Sequence, residues 1–290
     1  MHYIYFVITS LLWGGGFFLM KKAGFAFGPL SVGASSTFGG SLVLWVFWAI
    51  KRSKWQIHRR QFFPLALVAI SGYMFPYAAQ PFLVNLIGHG FVGMVISLVP
   101  VLTIIVSIPM LRVYPSWIQL VGVLVGMVCL GLMVVDGLNR QAAPLYLLMA
   151  MAVPLCYAIS NTLVQKYFQE IPAIVLAAIF MTSATILLTP LSLVFEKVTI
   201  NEQFLTAVGA IILLSIFARG IGMLLFYKMI QDKGPLFAGM VTYVIPVEAL
   251  MWSWFDNEYV SIVQIVTISI VLLMVGIVQR DIIRRSNSTA

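Results

Sequence analysis

Charge is scarce in this chain. Only 9% of its 290 residues are Asp, Glu, Lys or Arg, and 9 residues in all are acidic. Soluble domains carry about 25% charged residues, so water is not the solvent for most of this surface. Cysteine is nearly absent as well. Cys129 and Cys156 both fall inside apolar stretches, which excludes a disulfide framework and leaves them as packing residues. Histidine offers no ligand cluster: His89 has no second histidine or cysteine near it in sequence, so no metal site is expected. No hydrophilic stretch or Ser/Pro-rich linker is long enough to house a soluble catalytic domain. A Walker loop is also missing, and Gly14-Gly15-Gly16 lies within an apolar run rather than at a phosphate cradle. ATP-driven chemistry is therefore not expected, and no cofactor is implied.

What remains is apolar: 61% of the residues are hydrophobic. They fall into about ten runs, each long enough to cross a hydrocarbon core about 30 Å thick as a helix. The runs extend approximately from Tyr3 to Met20, Pro29 to Ile50, Phe62 to Asn85, Phe91 to Leu111, Pro115 to Val135, Pro144 to Val164, Pro172 to Phe195, Phe204 to Tyr227, Pro235 to Phe255 and Val260 to Arg280. Several start on proline, which the first helical turn tolerates because its missing N–H has no partner there. The first run lacks a basic leader and a small-residue cleavage site and carries Trp13, Phe17 and Phe18, so it reads as a span and not as a signal peptide. The expected fold is an all-α polytopic membrane protein with ten transmembrane helices, the lipid bilayer its first partner.

The basic residues give an orientation. Lys51, Arg52, Lys54, Arg59, Arg60, Arg112, Lys166, Lys228, Lys233, Arg280, Arg284 and Arg285 fall on one side, against Lys21, Lys22, Arg140 and Lys197 on the other. The positive-inside rule then places both termini in the cytoplasm. The net charge of +8 is accounted for by these short loops, so no nucleic-acid partner is expected.

The chain also repeats itself. Shifted by about 146 positions, Gly88, Phe91, Gly93, Met94, Val95 and Pro100 coincide with Gly234, Phe237, Gly239, Met240, Val241 and Pro246. Further on, Tyr114, Ser116, Gln119 and Gly131 match Tyr259, Ser261, Gln264 and Gly276. Two units, 1–140 and 141–290, of five spans each follow from this. An odd number of spans makes the second copy enter from the opposite face, giving inverted repeats with a site near the midplane between them.

These residues resemble the EamA-type branch of the drug/metabolite transporter superfamily. The likeness is carried by Leu12-Trp13-Gly14, by Leu86 to Pro100, by Tyr157 to Asn161, and by Tyr227 to Gly234 through Tyr243 to Pro246. Asn257-Glu258 stands where that family often has Gly-Glu, whereas Arg112-Val113-Tyr114-Pro115 departs from the pattern in the first unit, and Glu248 replaces the usual apolar residue after Pro246. The resemblance implies alternating access and residues Trp13, Asn161 and Tyr243 facing a central cavity.

Polar groups at membrane depth mark the candidate site, since an ionised side chain at a span centre costs about 2.5–3.5 kcal/mol on insertion scales. Arg219 and Glu248 are the clear cases. They read either as an ion pair pinning two spans or as a solute- and proton-binding pair, with Glu248 the coupling-ion residue. Trp13, Phe17, Tyr77, Gln80, Asn85, Tyr157, Asn161 and Tyr243, with Tyr73, form a second set: aromatic walls with a few orienting amides suit a small-molecule substrate. Trp13 and Tyr157 hold equivalent places in the two units. Pro100 and Pro246 read equally as hinges or as static bends.

The functional expectation is a secondary transporter in a bacterial-type inner membrane. The resemblance implies an exporter of small metabolites such as amino acids or amphipathic compounds, driven by protons or by diffusion, as a monomer or homodimer. Uptake or exchange of another solute, nucleotide-linked or an organic ion, is the alternative, and paired arginines would argue for it. An intramembrane enzyme would need a convergent catalytic set that is missing here. A scaffold or receptor would need no polar cavity.

Overall fold

The computed structural model describes residues 2–112, 116–139, 143–255 and 260–288, and among these the chain is helical with no strand. Its continuous helical stretches are α1 (His2–Ala23), α2 (Pro29–Lys51), α3 (Arg59–Ile87), α4 (His89–Leu111), α5 (Trp117–Asn139), α6 (Pro144–Tyr167), α7 (Ala173–Phe195), α8 (Phe204–Lys233), α9 (235–255) and α10 (Ile262–Ser288). Within the described residues, 7 of them, α1 to α4 and α6 to α8, are long and apolar enough to cross a membrane.

The distribution of side chains is that of a protein solvated by lipid. Leu11, Phe38, Leu42, Val46, Leu193 and Leu205 face outward, while Ser36, Thr37, Ser41, Thr162 and Ser215 are buried. Apolar burial gives little drive between helices in lipid, so close backbone approach and interhelical hydrogen bonds must hold them together. The seam between α2 and α7 uses both. Trp45 Nε1 donates to Thr182 Oγ1 (2.9 Å) and Thr185 Oγ1 to Thr37 Oγ1 (3.1 Å). Gly33 lets α2 lie so close to α3 that a Cβ there would come 2.6 Å from the Tyr77 carbonyl oxygen.

The start of α2 is capped from elsewhere in the chain. Gly28 has no capping side chain and Pro29 no N–H, and the next two amides, of Leu30 and Ser31, donate to Glu196 Oε1 (2.9 Å) and Oε2 (2.7 Å). A carboxylate at a helix N-terminus also meets the positive end of the helix dipole.

The two units repeat each other's irregularities. Within α3, residues Ala69–Met74 form a π-helix, and within α8, Leu214–Gly222 do. In α4 a turn at 97–98 precedes Pro100; in α9 a 3₁₀ turn, Met240–Tyr243, precedes Pro246. Gly88 and Gly234, joining α3 to α4 and α8 to α9, have φ of 87° and 86°. The packing is exchanged in the same way. α1 lies on α8 as α6 lies on α3; α2 touches the π segment of α8 as α7 touches that of α3. The pairs α2/α7, α4/α9 and α5/α10 each join a helix to its own counterpart.

Some expected boundaries shift. α8 continues past Tyr227 to Lys233, and its added turn carries a Lys228–Asp232 ion pair (3.7 Å), so this end is polar rather than apolar. α4 begins at His89, directly after the Gly88 joint, and Pro172 takes the cap position of α7 instead of its first turn. Tyr114, Pro115, Arg140, Asn257, Glu258 and Tyr259 lie outside the described residues.

Candidate functional site

Helices α1, α3, α4, α6, α8 and α9 converge on a small, partly open cavity of about 50 Å³. Its wall is assembled from equivalent positions of the two units. α1 and α6 contribute Trp13 and Tyr157, Gly16 and Ser160, Phe17 and Asn161. From α3 and α8 come Gly72 and Ala218, Tyr73 and Arg219, Tyr77 and Met223, Gln80 and Phe226. α4 and α9 add Ile96 and Thr242, Val99 and Ile245; Met20 and Tyr227 complete the lining. The cavity is thus walled mostly by residues that correspond under the sequence repeat.

The π segments shape its polar wall. A π-helical turn adds a residue and leaves backbone groups out of the ordinary ladder, which is why such turns recur at functional sites. Trp13 Nε1 donates to the Ala218 carbonyl in the α8 segment (3.1 Å), and the Trp13 ring packs on Phe226 with centroids 4.7 Å apart. Gln80 Nε2 donates to the Tyr157 hydroxyl (3.0 Å), linking α3 to α6. The Tyr73 and Tyr227 hydroxyls are hydrogen-bonded to each other, linking α3 to α8.

Arg219 is the one cation on this wall among the described residues, and it is 6% exposed. Its guanidinium carbon lies 3.6 Å from the Tyr77 ring centroid, a close cation–π contact, and its Cβ is backed by α2 at Gly40. Nε and Nη2 are buried with no hydrogen-bond partner.

Of the residues singled out from sequence, Trp13, Phe17, Tyr77, Gln80, Tyr157, Asn161 and Arg219 line the cavity, as does Tyr73. Asn85 does not: it is exposed and lies beside Gly24 at the end of α1. Glu248 is 7% exposed and seated against Gly14 of α1, away from the cavity lining, with Oε1 unpartnered. The ion pair that was one of the two readings of Arg219 and Glu248 is therefore not formed; the guanidinium lies on the Tyr77 ring of α3, while the carboxylate packs on α1. The Tyr243 side chain lies outside what the structure describes. Ser160, Met223, Phe226, Tyr227 and Thr242 were not singled out. Applying the repeat offset to Tyr77 and Gln80 would have found Met223 and Phe226, and Ser160 adjoins Asn161. No group of three or more His, Cys, Asp or Glu among the described residues is placed to hold a metal ion.

A model of the EamA-like transporter family matches residues 1–135 and again 144–279, once in each unit. Among solved structures 11 chains match. One, described only as "Crystal structure of protein", superposes with a TM-score of 0.70 over 97% of each chain at 19% identity, which shows a shared fold. No curated protein matches.

Proposed function

The chain belongs to the EamA-like transporter family and is a multi-pass membrane protein; from that premise we propose that it is a secondary transporter that carries small metabolites by alternating access. The observation that carries this reading is the pairwise lining of the cavity. In a transporter built from two related halves, the solute site lies where the halves meet, and rocking one against the other exposes it to each side in turn. In this reading there are ten spans, the units divide near residue 140, and the second enters the membrane inverted. The exchanged packing of α1 on α8 and α6 on α3 supports that arrangement.

Aromatic walls with a few amides and hydroxyls suit amphipathic solutes such as amino acids. The excess of Lys and Arg on one side favours cytoplasmic termini in an inner membrane, and export is the direction taken with the family. Glu248, buried and with one oxygen unpartnered, is the proposed proton-coupling residue.

The test is counterflow of labelled amphipathic solutes in proteoliposomes. Exchange should be saturable and weakened by Trp13→Ala and by Tyr157→Ala alike. An imposed proton gradient should drive accumulation in the wild type but not in Glu248→Gln, which should still exchange. A panel without any saturable exchange would overturn the transport reading, and gradient-driven accumulation by Glu248→Gln would remove the coupling role.

A further inference from the structure

We propose that Arg219 is the seat for a carboxylate on the transported solute, so that the cargo class is small monocarboxylates with an apolar or aromatic body; this rests on the transport reading above. Nε and Nη2 form one edge of the guanidinium, with two N–H bonds pointing the same way. That edge matches the two oxygens of a carboxylate, which it binds through paired, charge-assisted hydrogen bonds. Both nitrogens are buried and have no partner. Leaving such donors unpaired in a buried site is costly, and a site left unpaired until its ligand arrives is one built for that ligand.

The surroundings narrow the class. The Tyr77 ring stabilises the cation through its face, 3.6 Å away, and so leaves the donor edge uncommitted. The repeat equivalent of Arg219 is Tyr73, so the second half of the cavity supplies no matching cation. One guanidinium balances one negative charge; a phosphate dianion would call for a second cation, and the described lining holds none. Trp13, Phe17 and Phe226 on the same wall offer ring faces to the rest of the solute.

Equilibrium binding of hydrocinnamate and of its neutral amide to the protein in lipid nanodiscs tests the assignment. Wild type should bind the acid about tenfold to a hundredfold more tightly than the amide, the span expected for hydrogen bonds to a charged group. Arg219→Gln should reduce acid binding to the level of the amide while lowering amide binding far less. Arg219→Lys, which keeps the charge but loses the planar edge, should fall between them. Equal wild-type affinities for acid and amide, or an equal loss of both in Arg219→Gln, would overturn the inference. If Arg219→Gln does not fold, the wild-type preference and the Arg219→Lys loss decide in the same sense. Acid-selective binding without counterflow would sink the transport reading and keep the seat; counterflow of neutral or cationic solutes without acid preference would do the reverse.

Discussion

Replacing Gly33 with alanine tests how tightly the site is backed. The added methyl carbon would stand 2.6 Å from the Tyr77 carbonyl oxygen, 3.2 Å from its carbonyl carbon and 3.1 Å from Leu188 Cδ1. Two of these three atoms are backbone and cannot rotate away. Restoring ordinary contact near 3.4 Å requires α2 and α3 to part locally by about 0.8 Å, and overpacking of this kind costs about 1–3 kcal/mol. Alanine returns about 1 kcal/mol through its higher helix propensity, so the net loss should reach about 2 kcal/mol at most. Gly209→Ala in α8 is the control, because nothing lies within 4 Å of its added carbon and only the propensity gain applies. Thermal unfolding read by a thiol-reactive dye suits both variants, since Cys129 is buried and Cys156 half-buried until the bundle opens. Gly33→Ala should melt below wild type and Gly209→Ala at or above it. Because Tyr77 also carries the Arg219 guanidinium on its ring, Gly33→Ala should in addition weaken hydrocinnamate binding. A Gly33→Ala protein with wild-type melting and binding would refute the close approach.

Two further outcomes follow from single contacts. Glu196→Ala removes the acceptor of both Leu30 and Ser31 amides and should cost about 0.5–2 kcal/mol of stability, measured by the same melting assay, with Glu196→Gln recovering part of it. A double-mutant cycle on Gln80→Leu and Tyr157→Phe should show a coupling of about 0.5–1.5 kcal/mol in stability, and strictly additive losses would mean that the hydrogen bond between α3 and α6 is not made.

The fold was legible because its solvent was legible. Runs of apolar residues placed α1, α2, α6 and α7 to within a few residues, the last three with proline at their starts, since lipid demands that every backbone group be satisfied inside the helix. The duplication was readable from Gly88, Pro100, Gly234 and Pro246, whose backbone roles admit few substitutes. The π segments at Ala69–Met74 and Leu214–Gly222 were not readable. A π turn costs one extra residue within an apolar run, and no side chain announces it. The site was half legible for the same reason. Trp13, Gln80, Asn161 and Arg219 stand out as polar or bulky at depth, whereas Met223 and Phe226 look like any lipid-facing residue until the repeat is superposed. Glu248 was read by its depth, yet its side chain packs on Gly14 of α1 rather than in the cavity wall, because depth along a helix says nothing of the direction in which a side chain points.

Equivalent positions in the two units share a backbone but not a chemistry: Tyr73 stands opposite Arg219, Gln80 opposite Phe226, and Phe17 opposite Asn161. The proposed alternating access would ask for this. Each half must be able to take the other's shape, so the joints are kept, while a solute with a polar and an apolar end needs no symmetry in the wall that holds it. The joints should then be costly to alter even where space is free. Gly234 has φ 86° and ψ 166°, a region nearly closed to residues with a Cβ, yet an added Cβ would meet nothing within 4 Å. Gly234→Ala should therefore destabilise through backbone strain alone, by about 1–3 kcal/mol. Gly88, with φ 87° and ψ 146°, should carry a similar strain penalty on substitution by alanine. Melting temperatures lowered in both variants would tie the two joints together as one repeated device; a neutral Gly234→Ala would show that the turn from α8 into α9 can be made another way.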